Sequence, residues 1–363
     1  MEIRTITAGA NEADIERAAR AALAARERLI AAGYAVQTLR LALSATGANR
    51  CGDFATIAQG VEEQALAAGF DYVAISVSDA ERLAALPDAI VATEALFASA
   101  PLTGPDGLLR PEMIEGAAAA IAAIGARTDN GFGNLRFAAA AMVAPGSPFF
   151  PAAAHDGGAP WLAVGPEAAA LAVEAGSDAS ALTTLIEQHD ARIGAALADV
   201  KTEGVQFAGC DWSLAPHPDP ARSIGAAVEA LAGVPFGAWG TLAGVRALTA
   251  AIRAAQVTQL GFSGVMLPVL EDAILAQRNA EGRYTLRDLL AFSAVCGTGL
   301  DTIPLAGDVA PARIAGVLRE VTTLAATLRK PLTARLLPIP GMVAGDMTTF
   351  DFPYFVNTRV MDV

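Results

Sequence analysis

Cysteine and histidine are scarce in this 363-residue chain. Its three cysteines, Cys51, Cys210 and Cys296, stand far apart, so they form neither a disulfide framework nor a CxxC metal-binding pair. Reduced thiols are therefore expected. The three histidines show no HExxH or comparable ligand spacing. Few side chains are left that could carry nucleophilic or metal chemistry.

Positive charge is also in short supply. Lys and Arg total 25 against 38 Asp and Glu, which gives a formal net charge of −13. Because phosphate binding needs clustered Lys and Arg, we expect neither nucleic acid nor an anionic membrane surface as a partner. The N-terminal residues show no secretory signal, and alanine-rich runs such as 116–126 are too short to span a bilayer. A cytoplasmic protein is expected.

Apolar sequence is abundant, and it is arranged as short extended segments separated by amphipathic helical runs. Hydrophobic residues make up 53% of the chain and charged residues 17%, which is enough for a large core. About nine extended segments are predicted, at 3–7, 34–42, 72–77, 134–143, 161–164, 205–210, 262–267, near 294–295 and 332–338. This alternation is typical of an α/β protein with parallel strands covered by helices. It does not separate an open doubly wound sheet from a closed barrel.

The chain shows no internal boundary. No repeat of fixed period and no linker of biased composition occurs, so residues 1–363 are predicted to form a single α/β domain. Two tandem helices, 81–98 and 111–126, are expected around the breaker-rich segment 101–107. The C-terminal tail, 341–363, is rich in aromatics and needs a place to dock. It either seals one end of the domain over the site or packs across a homodimer interface, and we favour the homodimer.

The stretch 293–308, SAVCGTGLDTIPLAGD, is the predicted place for chemistry. Cys296 and Asp301 flank a glycine-containing turn, and Asp308 is expected to cap the helix that follows. Such a strand-to-helix junction is where α/β proteins commonly bind ligands. The structural alternative is a buried thiol and an acid that caps a turn.

Other polar residues follow strands or interrupt apolar ones. Asp211 and His217 come after the strand that ends at Cys210, and with Cys296 and Asp301 they are the candidate catalytic residues.

Candidate substrate-binding residues are suggested by polar side chains in or beside apolar strands. An acidic protein with arginines in apolar strands uses them either to hold an anionic group or to pair with buried acids. The candidates are Arg136, Arg335, His155 and Glu271.

A metal site is a weaker possibility. If a divalent metal is present, its candidate ligands are Asp211, His217 and Asp272. For Glu271 and Asp272, however, capping of the helix that follows is an equally good explanation. The cofactor is otherwise unknown.

Several long motifs, VCGTGLDTIPLAGD, GFSGVMLPVLED, LTARLLPIPG and FDFPYFVNTRVM, with GNLRFA and CDWSLAPHP upstream, resemble the family named domain of unknown function 711. The similarity spans nearly the whole chain. It implies a closed α/β barrel of about ten strands resembling the pyruvate formate-lyase fold of glycyl-radical enzymes. In that analogy Cys296 would be the loop thiol. The last residues, NTRVMDV, contain no glycine that could carry a radical, so no glycyl radical is expected.

Three functions stay open. The favoured one is a lyase, isomerase or hydrolase that acts on a small carboxylate-bearing metabolite through Cys, Asp and His acid–base or nucleophilic chemistry, not radical chemistry. The second is a metal-dependent lyase or hydrolase with His, Asp and Glu ligands. The third is a non-enzymatic protein that binds a small molecule.

Overall fold

The computed structural model describes residues 1–44, 53–198, 200 and 204–363; Cys51 lies outside these ranges. The strands are β1 (Ile3–Ala10), β2 (Val36–Leu43), β3 (Tyr72–Ser76), β4 (Leu96–Pro101), β5 (Phe137–Ala141), β6 (Trp161–Pro166), β7 (Gln206–Cys210), β8 (Gly299–Ala306) and β9 (Leu332–Ile339). The α-helices are α1 (Ile15–Ala31), α2 (Phe54–Ala67), α3 (Ala80–Ala92), α4 (Pro111–Arg127), α5 (Ala169–Ala175), α6 (Ala179–Leu197), α7 (Ile224–Ala232), α8 (Thr241–Ala254), α9 (Ala273–Ala280), α10 (Leu286–Cys296) and α11 (Pro311–Leu328).

The strands form one sheet in the order β7-β6-β1-β2-β3-β4-β5-β9-β8. Strands β1 to β5 are parallel, β6 and β9 are antiparallel to β1 and β5, and β7 and β8 continue parallel to β6 and β9. Five central strands therefore run in one direction and the two outer pairs in the other. The prediction of an α/β fold is confirmed. Among the described residues, the regular strands form an open nine-stranded sheet.

An irregular segment, 259–268, connects to both edge strands of this sheet. Four parallel bridges involve it: Cys210–Gln259, Leu214–Val265, Val265–Gly297 and Pro268–Asp301. The sequence predicts a regular strand at 262–267. The segment does not form one, because Gly261 and Ser263 have positive φ angles of 56° and 38°, which interrupt the extended backbone.

Helices pack on the sheet and on each other. Helices α2, α3, α4 and α11 follow one another in contact, and α8 contacts α6, α7 and α10. A Cβ atom at Gly116 in α4 would lie 3.0 Å from the Leu83 side chain in α3, so this glycine permits the close approach of the two helices. Most of the hydrophobic core is one cluster of buried residues, whose members run along the sequence from Ile3 to Met361. Across the described ranges, no helix has the length and apolar character needed to cross a membrane.

The two helices expected around 101–107 are present as α3 and α4, but a strand lies between them, so the expected tandem arrangement is wrong. Helix α3 ends at Ala92, and residues 96–101 form β4 between β3 and β5. The small side chains of LFASAP fit a strand that is buried inside the sheet. Tertiary packing therefore overrides the helical propensity of alanine at this position.

The boundaries around the stretch 293–308 also differ from the prediction. Helix α10 continues through Ala294 and Val295, which were expected to be extended, and ends at Cys296 with Gly297 at a φ of 114°. Ala310, not Asp308, is the N-cap of α11, and Pro311 takes the first helical position.

The C-terminal tail, 341–363, docks on its own chain. Its Phe350 and Phe355 form a hydrophobic cluster with Leu270, Leu337 and Ile339. These aromatic side chains therefore find cover without a second subunit. The homodimer stays a prediction.

Candidate functional site

Six strands contribute residues to one cavity of about 230 Å³. The cavity is lined by residues of β1, β2, β3, β4, β8 and β9, of the irregular segment 259–268 and of the tail. The charged lining residues are Arg4, Arg40, Glu271, Asp301 and Arg335. The aromatic lining residues are Tyr72, Phe97, Phe149, Phe150, Phe352 and Tyr354. The cavity thus combines buried charge with apolar rings.

Arg335 of β9 is held by two acids. Its Nε donates to Oδ1 of Asp301 at 2.6 Å, and its Nη2 donates to Oε1 of Glu271 at 2.7 Å. Burial opposes the positive charge, but the two neighbouring carboxylates outweigh burial and raise the pKa of Arg335. The arginine therefore stays charged and is fully committed to its partners.

A β-bulge places Asp301 opposite Arg335. Leu300 pairs with Ala334 and Ile303 pairs with Leu336, so Asp301 and Thr302 together face the single residue Arg335. Thr302 has a φ of 42°, which is a strained value for a β-branched residue. Its buried hydroxyl has no hydrogen-bond partner among the described residues. Strain and an unpaired hydroxyl next to a cavity carboxylate are features of functional sites.

The ion pairs extend from Glu271 to the margin of the cavity. Glu271 also accepts from Nη2 of Arg4 at 3.0 Å, and Nη1 of Arg4 lies 3.7 Å from Glu167. The buried Glu167 accepts from Arg222 at 2.9 Å, and Nη2 of Arg222 lies 2.9 Å from Nδ1 of His217. Acids and arginines therefore alternate from Asp301 to Arg222, and His217 ends the chain.

Arg40 of β2 differs from the other cavity arginines. Its Nε donates to Oγ1 of Thr38 at 2.9 Å, and no described carboxylate forms an ion pair with it. Its guanidinium lies 5.7 Å from the ring centroid of Tyr72 and 5.2 Å from that of Phe150. Burial, and next the charge of Arg4, lower the pKa of Arg40 to about 9. The cavity therefore holds one positive charge without a protein counter-ion within the described ranges.

Three of the candidate residues from the sequence meet in this cavity: Asp301, Glu271 and Arg335. His217 lies at its margin, beside the lining residue Pro216, and its ring stands 6.0 Å from that of Tyr354. Burial and then the charge of Arg222 lower the pKa of His217.

Arg136 and Asp211 are placed elsewhere, where they hold the backbone. Arg136 donates to the carbonyl oxygen of Ile90 in α3, to Oγ1 of Thr93 just after α3, and to the carbonyl oxygen of Leu96 at the start of β4. Asp211 is fully buried and accepts from three backbone N–H groups, those of Ser213, Phe262 and Ser263, and from the Ser213 hydroxyl. Burial raises the pKa of Asp211.

Cys296 and His155 also lie away from the cavity lining. Cys296 is fully buried in the main hydrophobic cluster at the end of α10, where its sulfur lies 3.5 Å from the backbone nitrogen of Thr298. His155 is 3% exposed, and its Nε2 lies 3.2 Å from the carbonyl oxygen of Gly158.

Asp272 has different hydrogen-bond partners from its neighbour Glu271. It caps α9 by accepting from the N–H groups of Ile274 and Leu275, and it also accepts from Ser223 and Ile224 at the start of α7. Among the residues that the structure describes, Asp272 therefore shares no hydrogen-bond partner with Asp211 or His217, the other candidate metal ligands. In the described part of the chain, no three His, Cys, Asp or Glu side chains are grouped so that they could hold a metal ion.

Arg4, Arg40 and Glu167 were not predicted from the sequence. Arg4 and Arg40 carry the same signal as Arg335, because each is an arginine inside an apolar strand. Applied to β1 and β2, the same signal predicts both arginines.

The chain is similar in sequence to known proteins over most of its length. The family described as "Uncharacterised ACR (DUF711)" matches residues 1–351. A UPF0210 protein of Pyrobaculum arsenaticum is 36% identical over 231 residues, which cover 58% of this chain and 51% of that protein. A UPF0210 protein of Methanopyrus kandleri is 30% identical over 320 residues, which cover 80% of this chain and 70% of that protein. The chain thus spans about half the length of the Pyrobaculum arsenaticum relative.

Among the solved structures that align with this chain, one covers most of it. It is the anaerobic ribonucleotide reductase from Thermotoga maritima with citrate in the active site, with a TM-score of 0.35, 9% identity and coverage of 92% of this chain and 80% of that one. A likeness at this TM-score carries no inference. The family match over residues 1–351 agrees with the motifs found in the sequence, and it shows that the chain belongs to the DUF711 family.

Proposed function

We propose that this protein is an enzyme that binds a small carboxylate-bearing metabolite in the cavity and acts on it with the carboxylates there. The observation that carries the proposal is Arg40. Arg40 is partly buried and has no acid partner among the described residues, and such a guanidinium is costly unless a ligand supplies the negative charge.

The charges of the cavity favour a single anionic group. Arg335 is neutralised by Asp301 and Glu271, and Arg4 lies between Glu271 and Glu167. Arg40 is the arginine whose Nη atoms donate to none of the described residues. A planar guanidinium with free Nη atoms suits a carboxylate, which it can bind through two parallel hydrogen bonds.

Asp301 is the best candidate for proton transfer. Arg335 holds its Oδ1, whereas no described residue donates to its Oδ2. Both oxygens of Glu271 accept from arginines. Asp301 therefore has a free acceptor in a fixed position, as a general base needs.

A non-enzymatic binding protein is the second candidate. The observation that favours it is the distance of Cys296 from the cavity, because the sequence-based enzyme hypothesis relied on that thiol. Proton transfer by Asp301 alone then has to explain any catalysis. Turnover, and not binding, decides between the two candidates.

The size of the cavity limits the ligand. Its volume of about 230 Å³ lies below the range of about 300–1,000 Å³ that is typical for drug-sized ligands. A small metabolite fits this volume better than a dinucleotide or a large cofactor.

We also propose that the segment 259–268 closes the sheet into a barrel as an irregular strand. Its bridges to both edges and the common direction of β7 and β8 support this. Amide hydrogen exchange tests it through the N–H groups of Leu260, Val265 and Val269, which donate to Cys210, Cys296 and Asp301. Slow exchange at all three is expected, and rapid exchange at all three would count against closure.

The ligand proposal is tested with a panel of small carboxylates, phosphates and neutral analogues, by thermal shift and calorimetry. The wild-type chain should respond to carboxylates and the Arg40→Gln variant should not. The exposed Arg319, which pairs with Glu115 on the surface, gives the matched control Arg319→Gln. A carboxylate response that survives in Arg40→Gln would overturn the proposed anion site.

Turnover is tested with the carboxylates that bind, followed by proton NMR of the reaction mixture. We expect a wild-type reaction that the Asp301→Asn variant slows by roughly 10²–10⁴-fold, the range for loss of general acid–base catalysis. Binding without any chemical change would favour the non-enzymatic candidate. Light scattering of the same samples tests the homodimer.

A further inference from the structure

We propose, on the basis of the proposed function, that the carboxylate ligand carries a planar aromatic body and that the site selects aryl carboxylates over saturated ones. Six of the 18 lining residues are aromatic, whereas aromatic residues make up 6% of the chain. Four of the 14 Phe and two of the four Tyr residues line this one cavity. A cavity that only had to exclude water could use the aliphatic side chains that dominate the rest of the core.

The first aromatic group surrounds Arg40. The rings of Tyr72 and Phe97 lie 5.3 Å apart at 71°, and those of Phe97 and Phe150 lie 5.4 Å apart at 61°. These are edge-to-face contacts, which fix the orientation of each ring. Arg40 contacts Tyr72 and Phe150 of the same group. A carboxylate bound to Arg40 therefore has rings beside it at the point where its own body begins.

The second aromatic group comes from the tail. The ring of Phe352 lies 5.0 Å from Phe132, 5.2 Å from Phe355 and 5.5 Å from Tyr354, so its position is fixed by neighbouring rings. Tyr354 also lines the cavity and is 41% exposed. The ligand thus meets rings from β3 and β4 and rings from the tail in the same small volume.

The cavity carboxylates contribute little to the surface that contacts the body of the ligand. Both oxygens of Glu271 and Oδ1 of Asp301 accept from arginines, so Oδ2 of Asp301 is the carboxylate oxygen left for proton transfer. The aromatic side chains then supply much of the apolar surface that meets the body of the ligand. An aromatic body gains edge-to-face or stacking contacts with such rings, beyond the area it buries. We expect roughly a three- to tenfold higher affinity for an aryl carboxylate than for its saturated analogue.

The experiment compares phenylacetate with cyclohexylacetate by calorimetry on the full chain. The two probes share the carboxylate, its spacing from the ring and nearly the same size. The variants are Tyr72→Leu and Tyr354→Leu, which change one ring in each aromatic group. Trp239→Leu is the matched control, because Trp239 is fully exposed and lies outside the cavity. Arg40→Gln tests the anion site in parallel.

The inference is supported if the wild type and Trp239→Leu prefer phenylacetate and both cavity variants lose that preference while still binding the carboxylate. Equal binding of the two probes, with loss of both in Arg40→Gln, would overturn the inference and leave the proposed function standing. If neither probe binds, or if Arg40→Gln binds both as the wild type does, the inference and the proposed function both fail. A circular dichroism spectrum of each variant confirms that it is folded.

Discussion

Arg335 and Arg40 lie in the same cavity but in opposite electrostatic situations. Two carboxylates hold Arg335 at 2.6 and 2.7 Å, whereas Arg40 has one hydroxyl, two aromatic rings and no described acid. The pKa of Arg335 is raised and that of Arg40 is lowered. Arg335 thus has its counter-ions within the protein, whereas Arg40 can pair with an anionic ligand.

This difference separates stability from function within a single cavity. An ion pair that is buried and complete holds β8, β9 and the segment before α9 together, so its loss should be felt as unfolding. A partly buried charge without a counter-ion, such as Arg40, destabilises the empty protein, and it is retained where ligand binding needs it. The two arginines should therefore respond in opposite ways to the same substitution.

The largest effect is expected for Arg335→Met. This variant keeps much of the side-chain volume but removes the cation shared by the partly buried Asp301 and the buried Glu271, which keeps only Arg4. We expect the free energy of unfolding to fall by about 3–5 kcal/mol, the usual result of removing one partner of a buried ion pair. Urea denaturation measures it, with Arg319→Met as the surface control. A loss below about 1 kcal/mol would show that the pair contributes little.

Arg40→Met should have the opposite profile. The free energy of unfolding of the empty protein should be unchanged or should rise by up to about 2 kcal/mol, because an uncompensated charge is replaced by an apolar side chain. Carboxylate binding should weaken by about 2–3 kcal/mol, the value of a charge-assisted hydrogen bond in a buried site. Denaturation and calorimetry on the same sample test both parts. A variant that unfolds easily and still binds the ligand would reverse the comparison.

Of the two arginines, Arg335 is predicted from the sequence as a site residue and Arg40 is not. Arg335 is predicted as a site residue because it lies in an apolar strand, and Glu271 because it follows one. Asp301 is predicted because it flanks a glycine-containing turn. Arg136 is also an arginine in an apolar run, yet it donates to carbonyl oxygens in α3 and at the start of β4. The partner is decided by which element packs against each strand, and no local pattern contains that information.

The fold shows a similar limit. The alternation of strands and helices predicted an α/β protein correctly, because hydrophobic period is a local property. The order of strands in the sheet and the two antiparallel contacts depend on long-range pairing. Cys296 shows the consequence at the level of one residue: the turn predicted for it is the last turn of α10, which buries its sulfur in the core.

A smaller effect is expected when Arg40 is changed to Lys. The charge is retained, but the planar fork that binds both oxygens of a carboxylate is replaced by a compact ammonium group. Affinity for the carboxylate should fall roughly tenfold, between the wild type and Arg40→Met. Calorimetry of the three proteins measures the order. Wild-type affinity in Arg40→Lys would mean that charge alone binds the ligand.

The smallest effect concerns Glu271 and Asp272, which are adjacent in sequence but have different partners. Glu271 faces two arginines, whereas Asp272 accepts only from backbone N–H groups and one hydroxyl. Burial raises the pKa of Asp272 to about 6, and the hydrogen bonds it accepts only partly oppose this. The ordinary pKa of an unfolded Asp is about 3.9, so the folded state binds the proton more tightly between these values.

The sign of the pH dependence follows from this difference. The stability that Asp272 contributes is present in full below its unfolded pKa and is lost as the pH rises through about 6. The free energy of unfolding should therefore gain about 1 kcal/mol from this group when the pH is lowered from about 7 to about 5. Asp272→Asn should remove that slope, whatever its effect on overall stability.

Asp178, which caps α6 and has a lowered pKa through its hydrogen bonds with Ser180, is the matched control. Asp178→Asn should leave the slope between these pH values unchanged, because its own stability is lost only at lower pH. Urea denaturation of the three proteins at both pH values measures this, and an equal slope in wild type and Asp272→Asn would show that Asp272 does not take up the proton.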